Sequence, residues 1–88
     1  MVTNLINERG NAVRNQFVIY DGNGITFQSY STRIAVIANG KVTINRTMWC
    51  YSRTTAKYLY QFLRANGWKV HNCKDVQRLI DNGTFKTF

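Results

Sequence analysis

The stretch from Gly24 to Asn45, GITFQSYSTRIAVIANGKVTIN, constrains the fold more than any other part of the chain. Ile25 and Phe27 alternate with Thr26 and Gln28, the period-2 pattern of a half-buried strand. Farther on, Val42 and Ile44 alternate with Lys41, Thr43 and Asn45. Between these runs, TRIAVIA is apolar on both sides past Arg33, as a central strand is, and Asn39-Gly40 is a strong two-residue hairpin signal. Upstream, QFVIY is rich in β-branched and aromatic residues and ends in DGNG at 21–24, a second hairpin signal. The expectation is a four-stranded antiparallel meander over residues 16–46.

From Tyr51 the period changes. In YSRTTAKYLYQFLRANG, Ala56, Leu59, Phe62 and Leu63 form one stripe at helical spacing. Ser52 suits the N-cap, and Asn66-Gly67 suits the end, so a helix is predicted over 52–66. WKVHN at 68–72 reads as a short fifth strand. Asn72 then caps a second helix over 72–82, with Asp75 near its positive end and Val76, Leu79 and Ile80 inward. Residues 1–15 show no clear period and are read as an irregular N-terminal segment. TFKTF at 84–88 is expected to pack back through Phe85 or Phe88. The predicted fold class is α+β: one domain, with a four- or five-stranded antiparallel sheet followed by two helices packed on one face.

Charge then narrows the function. Twelve Lys and Arg residues stand against four acids in 88 residues, a net charge of +8. Such an excess attracts polyanions. On the predicted first helix, Arg53, Lys57, Tyr60 and Arg64 follow at steps of four, three and four and so share one face. Like charges at these spacings mildly destabilise a helix, whereas a phosphate backbone rewards them by counterion release. Arg33, Lys41 and Arg46, with Thr26, Gln28, Tyr30 and Thr43, are placed on or near the outward face of the sheet as a polar, cationic platform. These residues make DNA or RNA the expected partner. The bland alternative is a solvated face whose long side chains cover apolar surface.

Catalysis is hard to assemble. His71 is the single histidine, the acids Glu8, Asp21, Asp75 and Asp81 are dispersed, and no Gly-rich phosphate loop is present. The expectation is a protein that is not an enzyme and takes no cofactor. Cys50 and Cys73 are too few for a disulfide framework, and with His71 they lack a fourth metal ligand, so no metal is expected. No run of 18 apolar residues crosses a membrane, and the N-terminus lacks signal-peptide character; a cytoplasmic setting is expected.

Three blocks, RGNAVRNQFVI, GITFQSYSTRIAVI and WCYSRTTAKYLYQFL, together resemble a group of small uncharacterised proteins of bacteriophages and mobile elements, over about residues 9–63. The resemblance implies a phage origin and a host bacterial cytoplasm, and it carries over no binding residue. It also raises a second reading, a phage inhibitor of one host protein such as a defence complex, a nuclease or a polymerase. Trp49, Tyr51, Tyr58 and Tyr60 would then be the anchors, since interface energy concentrates in such side chains. The basic charge speaks against mimicry of DNA.

Overall fold

A computed structural model describes all of residues 1–88. The elements run β1 (Val2–Ile6), β2 (Ala12–Asp21), β3 (Gly24–Ser29), β4 (Thr32–Ala38), β5 (Lys41–Ile44), α1 (Arg53–Ala65), α2 (Cys73–Asp81) and β6 (Phe85–Thr87). The six strands form one sheet in sequence order. The first five are antiparallel neighbours, and β6 pairs parallel with β5, Val42 opposite Phe85. Parallel neighbours need a crossover connection, and the two helices supply it. The α+β class therefore holds, with six strands where four or five were expected.

The extra strands lie at the two ends of the chain. The segment expected to be irregular forms β1 and the start of β2. Its turn is held by Asn7, whose side-chain oxygen accepts from the Arg9 and Asn11 N–H groups, both at 3.0 Å. Leu5 then enters the core from the edge strand. Residues 68–72, read as a strand, are not one. Gly67, at φ +92°, closes α1, and the Trp68 N–H bonds back to the Leu63 carbonyl. Val70 is fully buried without joining the sheet. The strand in this region is instead β6, and its Phe85 is the buried residue of the tail while Phe88 is half exposed.

One face of the sheet carries the helices. Phe27 stacks on Phe62 of α1, ring centroids 5.7 Å apart, and Trp68 meets Phe85 edge-on at 4.8 Å. Leu59 and Leu63 of α1 and Val76 of α2 complete this layer. A bulge helps to fill it. Phe27 pairs with Ala35 but Gln28 pairs with Arg33, so Ile34 is the extra residue of β4. Ile34 and Ala35 are consequently both buried, and Arg33 is left on the opposite face beside Gln28.

That opposite face differs from the expected polar platform. Register puts Val2, Phe17, Ile19 and Val36 there along with Thr26 and Thr43. Tyr30 is not part of it, because it sits in the β3–β4 turn at φ +55°.

Of the glycines, Gly24 alone packs tightly against a neighbouring strand. Its φ is +151°, and a Cβ there would lie 2.1 Å from the Ile37 carbonyl oxygen. Gly22, in the same turn, has no atom within 4 Å of such a Cβ. Gly24→Ala should therefore cost about 2 kcal/mol or more, and Gly22→Ala less than about 1 kcal/mol, in urea denaturation of the two variants.

Candidate functional site

α1 is placed by hydrogen bonds at its start. The Ser52 hydroxyl accepts the Thr55 N–H at 3.1 Å and lies 3.1 Å from the Thr55 hydroxyl. Thr55 is buried, 3.2 Å from the hydroxyl of Ser29 in β3. This fixes the roll of the helix on the sheet. With Ala56, Leu59, Phe62 and Leu63 turned inward, the edge bearing Arg53, Lys57, Tyr60 and Arg64 comes to line a cleft of about 570 Å³.

The other walls are the 50–52 turn, with Cys50, Tyr51 and Ser52, and the entry to α2, with His71 and Cys73. The first turns of both helices thus border the same cleft. α1 has no acid in its first turn. At α2 the Asn72 side chain caps the helix by accepting the Asp75 N–H at 3.0 Å, and the Asp75 carboxylate accepts the N–H of His71, the residue before the cap, at 2.9 Å. A helix start favours negative charge. Asp75 supplies that charge at α2, but at α1 no acid stands in the first turn and Arg53 adds to the positive end.

The four stripe residues are not equivalent. Arg64 is engaged: it donates to the Val70 carbonyl at 3.0 Å and to the Glu8 carboxylate at 2.6 Å. It holds the α1–α2 connection and the β1–β2 turn against the helix. The Lys57 ammonium lies 5.3 Å from the ring centroid of Tyr58, and neither Lys57 nor Arg53 has a carboxylate partner. Burial first, then the nearby Cys50, Cys73 and Asp75, raise the Tyr60 pKa, so its hydroxyl stays protonated and can donate to an anion.

A second hollow of about 400 Å³ shares Lys57 and Arg64 with the cleft and adds Asn7, Glu8, Arg9 and Gln61. The two hollows adjoin along α1, with Lys57 and Arg64 lining both, and are together termed the α1 groove. Arg9 was not among the expected binding residues; it arrives because residues 1–15 fold as a hairpin arm beside α1, with Gln61 donating to the Ile6 carbonyl. Cys50, Cys73 and His71 line the first cleft without forming a cluster of three side chains suited to a metal ion.

The seven expected nucleic-acid residues do not share one surface. Arg33 and Lys41 lie on the face of the sheet away from the helices, by their pairing with Gln28 and Ala38. Arg46 is in the turn after β5, its N–H bonded to the Phe88 carbonyl. Of the four expected protein anchors, Trp49 is only 6% exposed and belongs to the core, so it cannot serve. Tyr58 and Tyr60 are half-buried, and Tyr51 is exposed.

A family model described as "Family of unknown function (DUF8033)" matches residues 1–78. The chain belongs to that family. The match spans β1 through most of α2 and therefore every residue of the groove. No curated protein and no solved structure matches the chain.

The two arginines of the stripe should separate in a stability measurement. Arg64→Ala leaves the Val70 carbonyl and Glu8 without their partner and should cost about 1–2 kcal/mol. Arg53→Ala should stay within about 0.5 kcal/mol of the parent, as surface changes do. Thermal melts of both variants check this.

Proposed function

We propose that this DUF8033 protein is a non-enzymatic nucleic-acid-binding protein, and that the α1 groove holds the phosphate backbone. The observation that supports this reading most is the concave setting of Arg53 and Lys57, which have no carboxylate partners, at the mouth of two helix starts. A surface that served only solubility would have no need to gather cations in a hollow. The cations neutralise phosphates and release counterions, while the positive start of α1, which carries no acid in its first turn, favours the same negative charge. Tyr60 contributes a phenol that can donate to a phosphate oxygen or lie against a base. Arg9 extends the path toward the β1–β2 turn. Arg33 and Lys41, on the far face of the sheet, are outside this path.

Affinity for labelled single- and double-stranded DNA and RNA should fall steeply with salt. Arg53→Ala and Lys57→Ala should each weaken binding and flatten the salt dependence by up to about one unit of slope. Arg33→Ala and Lys41→Ala should leave the slope unchanged. Equal losses from both pairs would mean that binding is spread over the whole basic surface, and an absence of binding at low salt and micromolar protein would remove the reading.

A second reading is an inhibitor of a host protein, encoded by a phage and acting in the bacterial cytoplasm. It draws on Tyr30 and Tyr51, 63% and 73% exposed, which line a common hollow of about 240 Å³ beside the start of α1. Exposed tyrosines flanking a hollow are frequent interface anchors. Affinity capture from nuclease-treated bacterial lysate separates the two readings: a stoichiometric protein partner that survives nuclease favours inhibition, and partners lost with nuclease favour nucleic acid.

A further inference from the structure

The nucleic-acid reading leaves Cys50 and Cys73 without a role. Both are free and exposed, and both open into the cationic cleft. Each sits on a fixed element. Cys50 lies in the 45–51 turn, where the Trp49 N–H bonds the Asn45 carbonyl at 3.0 Å and the Tyr51 N–H bonds the Met48 carbonyl at 3.2 Å. Cys73 is the first residue of α2, behind the Asn72 cap. Partial burial first, and then the Cys73 thiol, raise the Cys50 pKa. The two thiols thus open into one cleft although 22 residues separate them in the chain. Arg53, Lys57 and Arg64 line the same walls.

We propose that Cys50 and Cys73 form a thiol–disulfide exchange site whose co-reactants are anionic low-molecular-weight disulfides. The reaction balances in two displacements. One cysteine thiolate attacks a sulfur of the small disulfide, forms a mixed disulfide and expels one small thiolate. The second cysteine thiolate then attacks the protein sulfur of that mixed disulfide, forms the Cys50–Cys73 bond and expels the second small thiolate. The protein loses two protons and two electrons, and the small disulfide is reduced to two thiols. The cationic walls raise the local concentration of an anionic disulfide, and they do so less as salt screens them. The site shares its cleft with the nucleic-acid reading but does not depend on it, because the bond can be detected without any nucleic acid.

The test compares oxidised glutathione, which is anionic, with hydroxyethyl disulfide, which is neutral, on the full folded chain, followed by intact mass after alkylation. The expected product is a chain lighter by two hydrogens, with no thiol left to alkylate and no lasting adduct. Cys50→Ser should instead hold one stable glutathione on Cys73. The rate with oxidised glutathione should drop several-fold from low to physiological salt and should also drop in Arg53→Ala, while the rate with hydroxyethyl disulfide should change little in either case. Two stable glutathione adducts on the parent chain, or closure only when the chain is unfolded in urea, would overturn the site. The same salt response for both disulfides would overturn its preference for anions. If the bond forms as expected and no nucleic acid binds, the exchange site stands and the nucleic-acid reading fails.

Discussion

The contact between α1 and β3 sets the rest of the molecule. Phe62 lies on Phe27, and Leu59 is fully enclosed. That apolar seam provides the attraction, which is non-directional and leaves the helix some freedom to roll. The buried Ser29–Thr55 hydroxyl pair, tied in turn to the Ser52 cap, removes the freedom. Buried polar groups must be partnered, so the pair tolerates little rotation. With the roll fixed, Arg53 and Lys57 open into a hollow and are not spread over a convex flank.

The second determinant is the crossover. A chain that ended its sheet at β5 would leave that edge open and give α2 nothing to cover. The parallel pairing of β6 draws the C-terminus back, with the Phe88 N–H bonded to the Ile44 carbonyl at 2.9 Å. Phe85 is then buried under Trp68, and Val76 is buried in α2. The α1–α2 connection must cross above, pinned by the Arg64 bond to the Val70 carbonyl. The start of α2 thereby comes to the same cleft as the start of α1. Arg64, which by spacing alone belongs to the cationic edge, is as much a structural clasp as a charge.

Strong local periodicity was legible in the sequence. The alternation around Phe27 and Val42, the Asn39-Gly40 turn, and the caps at Ser52 and Asn72 each rest on a few adjacent residues, and the structure carries those signals into β3–β5, α1 and α2. What escaped depends on partners far along the chain. VTNLI has one buried residue, Leu5, because it is an edge strand, so it shows no alternation. FKT is three residues long and becomes a strand only by pairing with β5. VHN has a buried valine but no sheet neighbour. The bulge at Ile34 reverses the facing that simple alternation assigns. For the site, helical spacing grouped Arg53, Lys57, Tyr60 and Arg64, since those side chains share one helix. It could not separate them from Arg33 and Lys41, which the sheet holds on its other side, nor could it bring in Arg9, His71 and the two thiols. The aromatic anchor Trp49 was misplaced because a tryptophan beside a predicted helix looks the same in sequence whether it faces water or the core.

The most direct test of the central claim is residue-resolved. An isotope-labelled chain is titrated with a short single-stranded oligonucleotide at low salt, and amide shifts are followed by two-dimensional NMR. Changes concentrated at Ser52–Lys57, at His71–Lys74 and around Arg9, and reversed by added salt, are the result the groove predicts. Changes concentrated at Arg33, Val36 and Lys41, with the starts of both helices unmoved, would place the binding surface on the open face of the sheet and contradict the account.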